Sequence, residues 1–316
     1  MPRILLVKTS SLGDVVHNLP VVSDMRHHMP DVEIDWVVEE SFAAIPRLHS
    51  GVSNVIPVAM RRWRHDLLRA GTWGEWRAFL NHLREREYDA IVDTQGLLKS
   101  ALITCAARGR RYGLDWKSSR EPLGPFYDCT FRVPWGQHAV VRNRSLAAQA
   151  LGYTLATPAN FDIVAPPRAL AWLPAANYAV LLHATSADSK LWPEHHWVEL
   201  HKYLFLNNIL SVLPWGNTAE RERSTRLAAA MNNAVVPPAL ALDDMAALLA
   251  QARIVVGVDT GLTHLAAALN VPTVGIYCAT DPAATGIHGC PRAINLGGAD
   301  TPPAAPDVIA AMERLL

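Results

Sequence analysis

The chain has 316 residues, of which 50% are apolar and 18% charged, and its 29 basic residues balance its 29 acidic ones. This length suits two domains that each bury a core, and the composition is that of a soluble globular protein and disfavours a disordered chain. The balanced charge gives no overall argument for a nucleic-acid partner, and four cysteines without a CxxC spacing disfavour a metal cluster or a disulfide framework.

The first apolar run of the chain covers residues 4–7 and ends at Lys8. This run is too short for a secretory signal, and no segment reaches the roughly 18 apolar residues that a membrane-spanning helix requires. We therefore expect a protein without a transmembrane segment that stays in the cytoplasm.

The first half of the chain alternates short β-branched runs with helical patterns, which is typical of a parallel sheet covered by helices on both faces. We predict strands at residues 3–8, 34–38, 55–58, 90–94, 111–113 and 130–133. We predict helices at residues 15–28, 76–86, 99–108 and 140–151.

This alternation lapses between residues 153 and 174, where prolines, threonines and alanines predict a linker. It then restarts, with strands predicted at 179–183, 211–214, 234–236, 253–258 and 273–277 and helices at 194–206, 220–231, 245–251 and 262–269. The prediction is an α/β protein with two doubly wound, Rossmann-like domains, at residues 1–160 and 175–305, and a C-terminal helix at 306–316. Ligands of such sheets bind beyond the carboxyl ends of the strands, so we expect the active site in the cleft between the domains.

The turn after the first strand has the sequence KTSSLGD at residues 8–14. It lacks the G-x-G-x-x-G pattern of dinucleotide sites, which disfavours NAD binding. The turn instead offers hydroxyl groups and ends at the carboxylate of Asp14. Two interpretations stay open: Asp14 either caps the following helix or acts as a general base that accepts the proton of a substrate hydroxyl.

The strongest local cluster of positive charge is the sequence RRWRH at residues 61–65. Guanidinium groups bind carboxylates and phosphates, and tryptophan favours the boundary of lipid headgroups. Arg61, Arg62 and Arg64, together with Ser10 of the first turn, are therefore candidates for binding an anionic acceptor. The alternative is a solvated basic face, and nucleic acid is disfavoured because no RNA- or DNA-binding motif accompanies the cluster.

The sequence VDTGLTH at residues 258–264 follows an apolar strand pattern and opens a helical one. The first N–H groups of a helix lack backbone partners and the helix dipole is positive there, so this junction suits a phosphate or diphosphate. Thr260 can donate a hydrogen bond, Gly261 permits close approach of a ligand, and His264 lies about one turn into the helix. The alternative is an ordinary buried strand that ends in a capped helix.

Six segments, in order along the chain, resemble one known family. They are SSLGD at 10–14, WVVEE at 36–40, IPVAMRRWR at 56–64, DTQGLLKS at 93–100, LPWG at 213–216 and VDTG at 258–261. The set, rather than any single segment, is similar to the lipopolysaccharide heptosyltransferase I family within glycosyltransferase family 9. The resemblance covers nearly the whole chain, to about residue 282.

This resemblance implies a GT-B architecture and a donor, ADP-L-glycero-β-D-manno-heptose. It implies an acceptor, the 3-deoxy-D-manno-octulosonic acid (Kdo) of Kdo2-lipid A, reached at the cytoplasmic face of the inner membrane by a peripheral protein. It also implies transfer with inversion at the anomeric carbon and without a metal or other cofactor.

The family's functional positions match particular residues of this chain. The general base matches Asp14, and Lys190 would meet the charge of the leaving diphosphate. The alternative for Lys190 is a solvated surface lysine. Glu220 would accept hydrogen bonds from the ribose, and its alternative is an acidic residue in the first turn of a helix. Leu240 stands where the family has a methionine near adenine, so side-chain packing there differs. The residues matched to the donor site are Thr185, Ser186, Lys190, Glu220, Leu240, Asp259, Thr260, Gly261 and His264.

Three alternative functions stay open at the level of the sequence. The first is the second heptosyltransferase of the same pathway, which adds heptose to heptose. The other two are a GT-B-like sugar-nucleotide epimerase and a nucleotide-sugar-binding protein without catalysis. The SSLGD and DTQGLLKS segments favour the first heptosyltransferase.

Overall fold

The structure, a computed structural model, describes residues 1–66, 69–174 and 177–316. Its contacts divide the chain into two compact units, Met1–Asp162 and Ile163–Leu316. Residue 175, the predicted start of the second domain, lies outside the described residues.

The first unit is built on a six-stranded parallel sheet with the order β3-β2-β1-β4-β5-β6. The central strand β1 is buried and pairs with β2 on one side and β4 on the other, so that Leu6 lies opposite Trp36 and Val92. This is a Rossmann-like order, as predicted. The strands are β1 Arg3–Val7, β2 Glu33–Glu39, β3 Asn54–Val58, β4 Glu87–Asp93, β5 Arg108–Leu114 and β6 Cys129–Phe131.

Seven helices accompany this sheet in the described residues of the first unit. They are α1 Leu12–Val16, α2 Leu19–His28, α3 Ala44–Arg47, α4 Met60–Trp63, α5 Ala70–Arg84, α6 Leu98–Ala106 and α7 Ala139–Leu151. A buried ion pair joins α2 to α7, because both oxygens of Asp24 accept hydrogen bonds from the Arg144 guanidinium, at 2.7 and 2.9 Å.

The prediction of one continuous helix at 15–28 is wrong. Two helices occupy this stretch, and the chain breaks between them at His17 and Asn18. Pro20 lies in the first turn of α2, where its missing N–H costs nothing and its ring would interrupt a continuous helix. Helix α1 begins at Leu12, three residues before the predicted start and directly after the turn that follows the first strand.

The second unit contains a five-stranded parallel sheet with the order β11-β10-β9-β7-β8. The strands are β7 Tyr178–Leu182, β8 Leu210–Val212, β9 Ile254–Val258, β10 Thr273–Tyr277 and β11 Ala293–Gly297. The predicted strand at 234–236 is wrong, since Val235 makes only an isolated bridge to Val212. Strand β11 was not predicted, because this half-buried edge strand lacks a strong β-branched pattern.

The helices of the second unit are α8 Glu194–Leu206, α9 Thr218–Ala229, α10 Leu242–Ala250, α11 Gly261–Ala268, α12 Pro282–Thr285 and α13 Ala305–Glu313. The C-terminal helix α13 packs on α8, where Val308 and Met312 share one core with Leu200 and Leu204. The predicted α/β fold with two parallel sheets is thus confirmed. No helix in the described part of the chain is long and apolar enough to cross a membrane.

Candidate functional site

The turn after β1 is held in place by residues that follow the neighbouring strand β4. The side-chain oxygen of Gln95 accepts hydrogen bonds from the backbone N–H groups of Thr9 and Ser10, both at 3.0 Å. Lys99, near the start of α6, donates to the Ser10 hydroxyl at 2.6 Å. The predicted acceptor residue Ser10 therefore lies in a turn whose backbone is fixed by side chains.

Asp14 lies in the first turn of α1 and is partly exposed. Its Oδ2 atom accepts hydrogen bonds from the backbone N–H of Ser11 at 2.7 Å and from the Ser11 hydroxyl at 2.8 Å. The N-cap residue is Ser11 rather than Asp14, which sits at the third helical position. Within the described residues no donor is hydrogen bonded to Oδ1, so one carboxylate oxygen is open to a substrate.

Two lysines near this turn carried no role in the sequence analysis. Lys8 is buried, and its Nζ donates to the backbone oxygen of Thr94 at 2.9 Å. Burial lowers the pKa of Lys8, while the charges of Asp14 and Asp93 oppose that shift. Burial also lowers the pKa of Lys99, and the positive charge of nearby arginine side chains lowers it further.

The available sequence signal was the scarcity of lysine, since the chain has five lysines among its 29 basic residues. This scarcity is a signal for Lys8 and Lys99 as well as for Lys190, because both lie in or beside the segments that resemble the family. The charge of Asp14 acts on both amines, so both lie near this carboxylate.

The predicted basic cluster divides into two kinds of residue. The Arg62 guanidinium is shared between two carboxylates, with Nε 3.0 Å from Glu40 and Nη1 2.8 Å from Glu75. The hydrogen bonds that Arg62 donates to these carboxylates raise its pKa. Arg61 instead lies over the Phe42 ring at 4.9 Å, and Arg64 is exposed beside His65. Neither makes a salt bridge to a described carboxylate, so these two are more available to an anion than Arg62.

In the second unit, Asp259 is the centre of a group of polar side chains at the end of β9. Its Oδ2 accepts hydrogen bonds from Lys190 Nζ and Thr280 Oγ1, both at 2.8 Å, and His264 Nε2 lies 3.6 Å from Oδ1. Burial would raise the pKa of Asp259, but hydrogen bonds from His264, Lys190 and Thr280 hold it well below its ordinary value. Asp259 therefore stays an anion that holds three polar side chains in fixed positions.

The helix α11 begins directly after this carboxylate, with Thr260 as its N-cap and Gly261 as its first residue. No side chain caps the helix, so its first N–H groups are open to a ligand. Gly257 allows the helix to pack this close to the strand, because a Cβ atom there would lie 2.1 Å from Thr263 Oγ1. The predicted anion site at 258–264 thus has the local geometry of a helix N-terminus beside a lysine.

The loop after β7 adds two further predicted donor residues. Thr185 donates its hydroxyl hydrogen to the backbone oxygen of Asp259 at 2.9 Å, and Lys190 ends a short 3-10 turn, Asp188–Lys190. Ser186 is exposed in the same loop. The structure therefore brings this loop and the β9–α11 junction together. Thr280, which the sequence analysis missed, completes the group from the end of β10.

Glu220 lies along the same sheet edge, after β8. Its carboxylate accepts hydrogen bonds from the Gly216 backbone N–H at 2.7 Å and from the Asn217 side chain at 2.9 Å, while Asn217 caps α9. This local capping is the alternative that the sequence left open, and the partly exposed carboxylate still faces the loop after β8. Within the described residues, Glu220 makes no hydrogen bond or salt bridge to Asp259, Lys190 or Thr280.

An adjacent cleft of about 590 Å³ runs beside α9. Its walls include the Trp215 ring, with the Arg221 guanidinium 5.3 Å from the ring centroid, and Pro237 and Pro238. Leu240, partly buried, follows the proline wall by two residues. Flat apolar walls of this kind suit the packing of an aromatic base.

The described ranges 1–66, 69–174 and 177–316 hold no group of three His, Cys, Asp or Glu side chains placed to share a metal ion.

Comparison with known proteins identifies similar chains over most of this length. Residues 76–305 match the family described as Glycosyltransferase family 9 (heptosyltransferase). Lipopolysaccharide heptosyltransferase 1 of Pseudomonas aeruginosa is 50% identical over 290 residues, which cover 91% of this chain and 81% of that protein. This chain is also similar to two solved structures of the E. coli heptosyltransferase WaaC, and each match covers 99% of this chain and 100% of the WaaC chain. The one with ADP has a TM-score of 0.91 at 41% identity, and the one with ADP-2-deoxy-2-fluoro heptose has 0.87 at 40%.

Proposed function

The chain belongs to glycosyltransferase family 9, the heptosyltransferases, and we propose that it moves L-glycero-D-manno-heptose from ADP-heptose to the Kdo of Kdo2-lipid A with inversion of configuration. It is an enzyme with heptosyltransferase I function and the GT-B fold. The observation that carries the proposal for its chemistry is the meeting of Lys190, Asp259 and the open N-terminus of α11 at one sheet edge.

The donor is supported by both chemistry and similarity. A helix N-terminus beside a lysine suits a diphosphate. The structures of WaaC, 40–41% identical to this chain, contain ADP and an ADP-heptose analogue. In this proposal Glu220 accepts hydrogen bonds from ribose hydroxyls, and adenine binds in the cleft that Trp215 and Pro237 line, with Leu240 next to the lining residue Ala239.

Asp259 acts in this proposal as a positioning residue. Its anionic carboxylate would repel a diphosphate if it faced one directly. It instead accepts a hydrogen bond from Lys190, so the lysine is oriented before the donor arrives. Thr185 holds its loop on the Asp259 backbone, and Ser186, Thr260 and the first N–H groups of α11 add donors without a metal ion. The growing charge on the leaving ADP is then met by fixed dipoles and the Lys190 ammonium group.

In the proposed reaction Asp14 removes the proton of a Kdo hydroxyl. The hydroxyl oxygen forms a bond to the anomeric carbon as the bond from that carbon to the diphosphate oxygen breaks, and ADP leaves with the electron pair. One displacement at one carbon inverts its configuration. The hydrogen bonds from Ser11 fix Oδ2 of Asp14, which leaves Oδ1 to accept the proton.

The acceptor site is proposed along the carboxyl edge of the first sheet. Ser10 and Asp14 follow β1, Lys99 follows β4, and Arg61 and Arg64 follow β3. Their positive charges complement the Kdo carboxylate and the lipid A phosphates. An acceptor of this kind is anchored in the inner membrane, so we propose that the protein acts as a peripheral protein at its cytoplasmic face.

Product analysis tests this function. The purified protein is mixed with ADP-heptose and Kdo2-lipid A, and the lipid is examined by mass spectrometry and NMR. We expect a gain of one heptose unit on Kdo, with the anomeric configuration opposite to that of the donor. Transfer only to a heptosylated acceptor, epimerisation of the donor or the absence of turnover would each contradict the proposal.

A further inference from the structure

Two tryptophans lie exposed on loops of the first unit. Trp116, after β5, is 71% exposed, and Trp135, after β6, is 51% exposed. Trp73, on α5, is also exposed at 56%, whereas Trp36, Trp192 and Trp197 are fully buried. Two large apolar rings exposed on loops that contact each other cost free energy in water, which indicates a surface that meets another apolar environment.

The two loops are joined by specific contacts. Trp135 donates its indole N–H to the backbone oxygen of Lys117 at 2.8 Å, which fixes one loop on the other. The Arg142 guanidinium lies 4.1 Å from the Trp135 ring centroid and donates to the backbone oxygens of Pro134 and Ser118 at 2.8 and 2.7 Å. The ring of Trp135 is therefore held in an exposed position by hydrogen bonds.

Basic side chains lie beside these rings. Lys117 Nζ lies 5.2 Å from the Trp116 ring centroid, and Arg120 is exposed in the same loop. Burial, and after it the charge of Arg120, lowers the pKa of Arg142. The carboxylate of Glu121 is engaged by the backbone N–H of Leu98. We name Trp116, Lys117, Arg120, Trp135 and Arg142 the aromatic–basic patch.

Exposed aliphatic side chains lie on the helix that this loop contacts. Leu98 and Leu102, one turn apart on α6, are 48% and 51% exposed. The hydrogen bond from Leu98 to Glu121 joins the start of α6 to the loop that carries Trp116. Leu98 and Leu102 thus add exposed apolar surface on the helix that the loop of the aromatic–basic patch contacts.

The patch lies on the same sheet edge as the proposed acceptor site. β5 and β6 follow β4 in the sheet, so the loops after them continue the edge that carries Asp14 and Lys99. The link is direct, since Asn143, next to Arg142 on α7, lies 3.5 Å from the Lys8 Nζ at the start of the Asp14 turn. A surface that contacts the patch therefore lies beside the turn that holds the base.

We propose that the aromatic–basic patch docks the protein on the surface of an anionic bilayer, with the two tryptophans in the headgroup region. Tryptophan rings favour this region, and lysine and arginine are attracted to anionic lipids. Because the whole chain has no net charge, this attraction depends on the local cluster. The inference rests on the proposed function, in which the acceptor is a lipid, and it assigns the surface that meets the membrane.

Vesicle flotation with the full chain tests this surface. Vesicles are made of phosphatidylcholine alone or mixed with phosphatidylglycerol. We expect the wild-type protein to bind the mixed vesicles more tightly and to lose binding as salt rises, because the attraction is screened. Trp116→Ala with Trp135→Ala should weaken binding at least about tenfold, and Lys117→Gln about fivefold.

Two controls separate docking from folding. Phe205→Ala removes a ring that is 45% exposed in the second unit and should leave vesicle binding unchanged. Trp116→Ala alone removes the more exposed ring while keeping the Trp135 hydrogen bond, and it should still weaken binding. The tryptophan and Lys117 variants should keep wild-type transfer to a water-soluble, deacylated Kdo acceptor and lose transfer to Kdo2-lipid A embedded in mixed vesicles. Phe205→Ala should keep wild-type transfer to both acceptors.

The outcomes distinguish this inference from the proposed function. Wild-type protein that does not float with mixed vesicles, or tryptophan variants that float as well as wild type, would overturn the docking surface even if transfer to the soluble acceptor is normal. Failure of wild type to transfer heptose to the soluble acceptor would overturn the proposed function, while the flotation results would still report on the patch.

Discussion

Removing Lys190 should weaken binding of the ADP moiety while leaving the fold intact. Lys190 donates an ammonium hydrogen bond to Asp259, and its side chain is about a quarter exposed, at 27%. A charge-assisted hydrogen bond to an anion contributes about 1.5–3 kcal/mol. Since about 1.4 kcal/mol corresponds to a tenfold change in Kd, Lys190→Ala should raise the Kd of ADP between about tenfold and about 150-fold.

Isothermal titration calorimetry with ADP and with adenosine measures this effect. Adenosine lacks the phosphates, so its affinity should change little in the variant. Lys202→Ala, an exposed lysine on α8, is the matched control and should bind ADP as wild type does. An unchanged Kd for ADP in Lys190→Ala, or an equal loss of ADP and adenosine affinity, would refute the assignment of Lys190 to the diphosphate.

Three further predictions concern pH, the acceptor and metal ions. Because the pKa of Asp259 is lowered in the folded state, its carboxylate stabilises the fold fully above the ordinary aspartate pKa of about 3.9, and this contribution is lost as pH falls further. Urea unfolding should therefore show wild type more stable than Asp259→Asn at pH 7, and the difference in unfolding free energy should shrink only below about pH 4. A difference that changes between pH 5 and 8 would contradict this. Replacing Arg61 and Arg64 together with Ala should raise the acceptor KM at least about tenfold and leave the donor KM nearly unchanged, as steady-state kinetics would measure. Arg62→Ala should instead mainly lower the Tm in thermal unfolding, because Arg62 links two carboxylates. A shifted donor KM in the double variant would contradict the assignment of Arg61 and Arg64 to the acceptor site. Transfer should persist in excess EDTA, and loss of activity with rescue by Mg²⁺ or Mn²⁺ would contradict charge stabilisation by Lys190 and α11.

The hydrophobic pattern of the sequence predicted the two sheets well where the segments are long and buried. The structure has α8 and β10 at the residues that the pattern indicated, because each has an uninterrupted apolar period and a clear boundary. The pattern was less informative where local chemistry decides. Pro20 divides the first predicted helix, and the edge strand β11 is too weakly apolar to stand out.

The candidate site was predictable where its residues lie close together in the chain. The β9–α11 junction has the strand, N-cap and helix start that residues 253–269 indicated. The pairing of Lys190 with Asp259, 69 positions away, depends on the neighbouring positions of β7 and β9 in the sheet. The carboxylates that engage Arg62 could not be predicted either, since one comes from the end of β2 and the other from α5.

The kinetics of Asp14→Asn test the central claim most directly, because the claim is that this carboxylate takes the proton of the acceptor hydroxyl. Asparagine can keep the hydrogen bond from Ser11 but cannot accept a proton as a base. Rapid-quench measurement with Kdo2-lipid A and ADP-heptose should show kcat lower by about 10²–10⁴-fold, while calorimetry shows the Kd of the donor unchanged. A variant that keeps a near wild-type kcat would contradict the account and leave Asp14 as a residue that only stabilises the start of α1.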